Sequence, residues 1–217
     1  MRLVLLFALI FFTQLTIAQE SMGIKGGLNI VNLVTSQTGT SQSSGGSGGF
    51  RPSYHGGFFY NSSGDGSFDF RIELLYSNKG NGTGSRANLN RNTIHLHYFT
   101  LPLMGVFKPI DGLDLQFGAE AGFLLAARQK AQVTTNTAGS TIDYNGDILN
   151  LYKRFDAGIV LGIAHSFDNG ITIGARYSFG LFNINNIAST SSTATTSLTR
   201  IQTRTTMISL EYAIFKN

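Results

Sequence analysis

The chain has 217 residues, 42% hydrophobic and only 13% charged, where soluble domains carry roughly 25% charge. Sixteen Lys and Arg against twelve Asp and Glu leave a formal +4 with no basic cluster, which excludes a nucleic-acid surface. The absence of cysteine excludes a disulfide framework and a lipid-modified cysteine, and a mean hydropathy of +0.06 excludes a helical membrane protein.

Residues 1–19 begin with Arg2, run almost wholly apolar from Leu3 to Ile17 and close on Thr16-Ile17-Ala18, a small-x-small cleavage pattern. This is the form of a secretory signal peptide, too short to span a bilayer. Residues 20–217 are then a single domain. The first strand covers residues 22–33, with Ile24, Gly26, Leu28 and Ile30 on one face and Lys25, Gly27 and Asn29 on the other. Side chains leave a pleated strand on alternate faces, so this period of two is a strand signature. A polar, glycine-rich loop follows over residues 35–49.

The second strand, residues 52–61, carries Tyr54, Phe58 and Tyr60 on one face, and NSSGDG turns the chain. In the third, residues 68–77, Phe68, Phe70, Ile72, Leu74 and Tyr76 oppose Asp69, Arg71 and Glu73. Residues 78–92 are again polar. The fourth strand, residues 93–107, has apolar residues in both phases, and Pro102 predicts a bulge. KPIDG is the next turn. The fifth strand, residues 113–128, sets Leu115, Phe117, Ala119, Ala121, Phe123 and Leu125 against Asp114, Gln116, Gly118, Glu120 and Gly122. Residues 129–150 read as a polar loop.

The sixth strand, residues 151–167, sets Phe155, Ile159, Leu161 and Ile163 against Arg154, Asp156, Gly158 and Gly162. Asp168-Asn169-Gly170 is a strong hairpin signal. The seventh, residues 171–184, puts Ile171, Ile173, Ala175, Tyr177, Phe179 and Leu181 opposite Thr172, Gly174 and Arg176. After a Ser/Thr-rich stretch, the eighth strand covers residues 203–215. There Ile208, Leu210, Tyr212 and Ile214 oppose Glu211, and Phe215 falls out of phase with Tyr212.

Eight strands are thus joined by connections that alternate long and short. Hairpins make neighbours antiparallel, so the short turns gather at one end and the long loops at the other. Outer-membrane barrels have that asymmetry. A soluble eight-stranded calyx would put its apolar faces inside and its polar ones outside. Here the polar faces mix charges of both signs with glycine, which suits a narrow lumen filled by side chains. The expectation is all-β: an eight-stranded antiparallel up-and-down transmembrane β-barrel in the cell outer membrane. Tyr and Phe near strand ends would form its aromatic girdles, and an arginine at Ile173 should impair insertion.

Arg71, Glu73, Glu120, Arg154, Asp156, Arg176 and Glu211 are the expected luminal ion-pair network. Charges in a narrow lumen must pair to offset their desolvation. A catalytic reading of these carboxylates is the weaker one. His165-Ser166 is the only adjacent His/Ser pair and has no third member. His95 and His97 share a strand face, which a metal would need, but polar residues at a rim explain them as well. No enzyme activity, cofactor or metal is expected.

GIKGGLNI (residues 23–30), ELLYSNKG (73–80), HYFTLPLMGVFKP (97–109), LQFGAEAGFLLAA (115–127) and GARYSFGLFNI (174–184) resemble the PorT-like outer-membrane β-barrel family of Gram-negative bacteria. The likeness spans essentially the whole mature chain. It implies an eight-stranded outer-membrane barrel, and, from the family's founding member, a link to an outer-membrane protein-secretion system. The expected partners are outer-membrane lipid and lipopolysaccharide, with other outer-membrane or secretion proteins as candidates and no nucleic acid. The expected state is a monomeric barrel with a structural or surface-loop binding role. An accessory subunit of a secretion complex and a small porin-like channel stand as alternatives.

Overall fold

The structure, a computed structural model, describes residues 20–37, 52–63, 66–83, 91–134, 141–186 and 199–216. The signal-peptide reading of residues 1–19 lies outside the described residues. Nine strands are present among the described residues: β1 (Glu20–Gln37), β2 (Pro52–Ser63), β3 (Phe68–Thr83), β4 (Arg91–Ile110), β5 (Leu113–Thr134), β6 (Thr141–Asp147), β7 (Phe155–Ser166), β8 (Ile171–Gly180) and β9 (Thr199–Lys216).

All pairings are antiparallel. The sheet runs β4-β3-β2-β1-β9-β8-β7-β5, and β4 also pairs with β5, so eight strands close a ring. Closure pairs both edges of the eight ring strands, which is what lets a sheet cross hydrocarbon. The turns β2–β3, β4–β5 and β7–β8 are short and lie at one end with Glu20 and Lys216. Each of those turns carries one left-handed glycine: Gly66 at φ 95°, Gly112 at 79° and Gly170 at 83°. Such backbone angles disfavour any residue with a Cβ.

The ninth strand corrects the sequence reading. Residues 129–147 are not a plain loop: β5 runs on to Thr134, and β6 pairs back along it from Arg128–Asp147 to Thr134–Thr141. Below this hairpin β5 pairs with β7, from Phe123–Phe155 to Leu113–His165. The sixth strand therefore starts at Phe155, not at residue 151, and the seventh ends at Gly180.

Alternation places the apolar residues outside. On β7, Leu161 is 50% exposed while Val160 beside it is 1% exposed. Ile24, Leu28, Phe58, Phe70, Leu74, Leu103, Phe117, Ile173, Ile208 and Leu210 are likewise exposed, around the ring. Lys25, Arg71, Glu73, Glu120, Arg176 and Glu211 are buried within it. An apolar belt on every strand of the closed wall is a lipid surface; exposed to water it would far exceed the few hundred Å² a soluble protein tolerates.

Besides a register shift between Phe107 and Ile110 beside the β4–β5 turn, two bulges shift the alternation. The β4–β5 register slips between His97–Ala126 and Tyr98–Leu124, leaving Leu125 as an extra residue on β5. The β1–β9 register slips between Met22–Phe215 and Gly23–Ala213, leaving Ile214 as the extra one. That second bulge returns Phe215 to the outer face, where it is exposed beside Met22, although simple alternation puts it out of phase. Pro102 makes no bulge. It stays in register with Glu120, and the β3–β4 ladder is interrupted only between Ile72–Leu103 and Leu75–Thr100. The fourth strand thereby takes a clear phase: Leu96, Tyr98, Thr100, Met104 and Val106 are buried, and Phe99, Leu101, Leu103 and Phe107 are exposed.

Candidate functional site: the barrel lumen

The lumen is built in three levels. The lowest is a vestibule of about 450 Å³ at the short-turn end, lined among others by Asp69, Arg71, Lys108, Asp114, Ser166 and Glu211. Lys108 pairs with Asp69 there. Ser166 Oγ donates to Asp114 Oδ2 at 2.7 Å. Ser166 is half-buried while His165 is exposed and packs edge-on against Phe167. Adjacent strand residues point to opposite faces, so this His/Ser pair does not meet.

Above it lies a knot of ion pairs drawn from four strands, β1, β3, β8 and β9. Arg176 of β8 grips Glu73 of β3 with two nitrogens, Nη1 to Oε2 at 2.6 Å and Nη2 to Oε1 at 2.8 Å. These strands are four steps apart either way round the ring, so the pair bridges the full lumen. Arg71 donates Nε to Glu73 Oε1 at 2.6 Å and Nη2 to Glu211 Oε2 at 2.5 Å. Lys25 lies 3.3 Å from Glu73 and 3.0 Å from Glu211. Gln116 Oε1 accepts from Arg176 Nε at 2.5 Å, and the Arg71 guanidinium stacks 4.4 Å from the Phe59 ring centre. A Cβ on Gly162 would sit 2.6 Å from Arg176 Cγ, so the glycine makes the room the arginine occupies. Bidentate guanidinium–carboxylate geometry is strong and directional. It offsets the cost of holding charge away from water.

Higher in that same ionic level, Lys79 Nζ bonds Glu120 Oε1 at 3.1 Å and lies 5.1 Å over the Tyr98 ring. Asn29, His55 and Ser77 form a neutral cluster, with Asn29 Nδ2 donating to Ser77 Oγ at 2.9 Å and Asn29 Oδ1 2.7 Å from His55 Nδ1. Glu120→Gln leaves Lys79 without its counter-charge. The variant is expected to unfold at lower denaturant with a loss of about 1–3 kcal/mol, read as the midpoint of the heat-shifted gel band in a urea series. An unchanged midpoint would count against the pair.

The structure thus gathers Arg71, Glu73, Arg176 and Glu211 into one cluster and sets Glu120 in a second. Two expected members are corrected. Arg154 is exposed in the bend before β7, because the strand has not begun there. Its carbonyl accepts from Leu124 N at 2.7 Å, and it joins no luminal ion pair among the described residues. Asp156 is buried, but its partner is a hydroxyl: Thr203 Oγ1 donates to Oδ2 at 2.8 Å. Lys25 and Lys79 supply further cations to the clusters beside the expected arginines. Lys25 shares a face with no charged neighbour on its own strand, so only closure of the ring reveals its partners.

The third level was not legible beforehand. The wall turns apolar toward the long-loop end, and Val31, Leu33, Leu96, Tyr98, Leu124 and Ala127 form a buried cluster inside it. Residues between strands complete it: Ile148 and Tyr152 from the segment joining β6 to β7, and Ile184 from the stretch after β8. Backbone bonds pin these segments down, Lys153 N to Ile184 O at 2.8 Å, Asn186 N to Leu151 O at 3.0 Å and Ile184 N to Ile201 O at 3.0 Å. Burial raises the Tyr152 phenol above its ordinary value. The lumen is closed twice, by charge below and by hydrocarbon above.

His95 and His97 lie on the outward side of β4 near the long-loop end, with rings stacked 6.3 Å apart. No group of three or more potential metal-ligating His, Cys, Asp or Glu residues exists among the described residues.

Comparison with known proteins adds the following. No curated protein matches the chain. Among solved structures, the attachment invasion locus protein Ail of Yersinia pestis is matched over 91% of this chain and 100% of its own, at 11% identity and a TM-score of 0.45. Neisserial surface protein A is matched over 87% of this chain and 96% of its own, at 11% identity and a TM-score of 0.46. The outer membrane protein OprG of Pseudomonas aeruginosa is matched over 91% and 96% respectively, at 11% identity and a TM-score of 0.43. The family model described as "Outer membrane protein beta-barrel domain" matches residues 17–186. With that span of the sequence matched, and with a closed ring that is apolar outside and ionic within, the chain belongs to the outer membrane protein β-barrel domain family.

Proposed function

We propose that this outer-membrane barrel is non-enzymatic and non-conducting, and that it works through its long-loop end. The observation that carries the reading is the Arg176–Glu73 clasp across the lumen, 2.6 Å and 2.8 Å long, beneath the apolar closure around Tyr98 and Leu124. A pore requires a water path, and both levels stand in its way. Barrels of this kind place short turns and termini in the periplasm and long loops outside. The polar loops are then the surface that meets a protein, a surface ligand or lipopolysaccharide. Residues 1–19 fit a cleaved export signal, and a ring that closes within one chain, leaving its eight strands no open edge for a second copy, fits a monomer.

Reconstitution in planar lipid bilayers tests the reading. The wild-type barrel should give no conductance above the bare membrane, whereas regular single-channel steps would replace it with the small-channel alternative. The PorT-like runs, ELLYSNKG and HYFTLPLMGVFKP among them, favour a second reading as an accessory subunit of a secretion complex. Crosslinking in outer membranes followed by affinity purification separates the two: a lone barrel favours the first, and recovered secretion components the second.

A further inference from the structure

The outward face of the barrel changes character in one step at the long-loop end. On β4 it passes from exposed Phe99 to His97 and His95, on β5 from Leu125 to Arg128 and Lys130, and on β9 from Ile208 through Thr206 to Arg204 and Arg200. Lys153 and Arg154 are exposed just before Phe155 of β7. The exposed acids at this level among the described residues are Asp143 and Asp147, both on β6, where Asp147 lies directly across from Arg128. The short-turn end differs: Lys108, Asp111, Asp168 and Lys216 are exposed there, with both signs mixed.

The densest part of this margin is the β4–β5 pair. His95 lies directly across from Arg128, and Thr93 across from Lys130. Beside them runs a ladder of flat rings. His95 stacks on His97 at 16°, His97 on Tyr76 with centroids 6.0 Å apart, and Tyr54 lies 6.2 Å beyond Tyr76. The Tyr76 hydroxyl is 2.6 Å from His97 Nδ1, which holds the rings in place.

The bulge at Leu125 creates this arrangement. Without the extra residue, alternation from Glu120 and Leu124 would carry Arg128 and Lys130 into the lumen. With it, both stand on the outer wall. The ion pairs among the described residues join luminal and short-turn-end groups, and none involves Arg128 or Lys130. Two cations at the edge of an apolar belt favour an anionic headgroup at that depth. A guanidinium matches phosphate oxygens in pairs. Ring faces offer a flat amphipathic surface of the kind a sugar ring covers.

We propose that this β4–β5 patch seats the phosphorylated sugar headgroup of an outer-leaflet glycolipid of the lipid A type. Arg128 and Lys130 meet the phosphate, and the His95–His97–Tyr76 ladder meets the sugar. The inference rests on the reading that the long loops face the cell exterior.

The test uses wild-type barrel and an Arg128→Gln/Lys130→Gln variant, each refolded in detergent and checked by heat-shifted mobility. Both are titrated with bisphosphorylated lipid A, its phosphate-free form and phosphatidylglycerol, with bound lipid counted by native mass spectrometry. The wild type should prefer bisphosphorylated lipid A by about tenfold, and the variant should lose that preference, as expected for removal of two charge-assisted contacts. An Arg200→Gln/Arg204→Gln control on β9 should keep it. Equal binding of the phosphate-free lipid, an undiminished preference in the β4–β5 variant, or a loss in the β9 control instead would overturn the assignment. Phosphatidylglycerol bound as tightly as lipid A would replace a glycolipid site with one for any lipid phosphate. Orientation is read separately from an epitope tag at residues 84–90. Antibody access in intact cells supports the outside placement, and access only after lysis overturns the underlying reading as well.

Discussion

Glu73→Gln is expected to be the most damaging single change in the lumen. Glu73 is the hub of the lower cluster, contacted by Lys25 at 3.3 Å, Arg71 at 2.6 Å and Arg176 at 2.6 Å. Its neutralisation leaves three buried cations facing Glu211 alone. Breaking a buried pair by removing one partner costs about 3–5 kcal/mol, because the remaining charge stays desolvated. The urea midpoint of the refolded barrel should fall accordingly, followed by the heat-shifted gel band. Arg154→Gln, at an exposed bend, should leave the midpoint within about 0.5 kcal/mol of wild type. If the two variants behaved alike, the hub assignment would be wrong.

The second large effect is on the outer wall. Leu161 is 50% exposed and lies between Phe117 on β5 and Tyr177 on β8. It stands within the apolar outer face of β7 that runs from Phe155 to Ile163. Leu161→Arg is expected to cost about 2–4 kcal/mol, the penalty for arginine at the bilayer midplane. Ile173 is also outward but only two residues from the β7–β8 turn, across from His165. An arginine there can reach headgroups, so Ile173→Arg should cost less, toward about 0–1 kcal/mol. Unfolding from lipid vesicles, compared between the two variants, reads the difference. Equal costs would show that the belt is not centred where the structure places it.

The legible part of the fold was the part that depends on neighbours along the chain. Alternation at Phe68–Tyr76 or Leu115–Leu125 is a property of a few consecutive residues. It survives whatever the rest of the molecule does, and it separated the lipid wall from the lumen. The hairpin glycines Gly112 and Gly170 marked the short-turn end for the same reason. Arg71, Glu73, Arg176 and Glu211 could be named because charge on the inner face of a narrow barrel has nowhere to go but to other charge.

Parity counting failed where the backbone changed step. One extra residue at Leu125 moved Arg128 from the expected inner face to the outer. Another at Ile214 moved Phe215 outward. A bulge is a property of two strands in register, and neither strand shows it alone. The polar residues 141–147 pair with β5 although they lack an apolar face, because at the loop end both faces meet water and the ladder needs only backbone. Ile148, Tyr152 and Ile184 close the lumen from segments outside the strands, two of which plain alternation assigns to strand ends.

The amino-acid sequence by itself determined that this protein is an eight-stranded barrel with hydrocarbon outside, since pattern and turn are local chemistry. Only the tertiary structure decided which charges clasp across the lumen, that Lys25 and Lys79 join them while Arg154 does not, and that an apolar closure sits above them. Those contacts join residues such as Arg71 and Glu211, 140 positions apart along the chain. Ring closure and register, not local preference, bring such residues together.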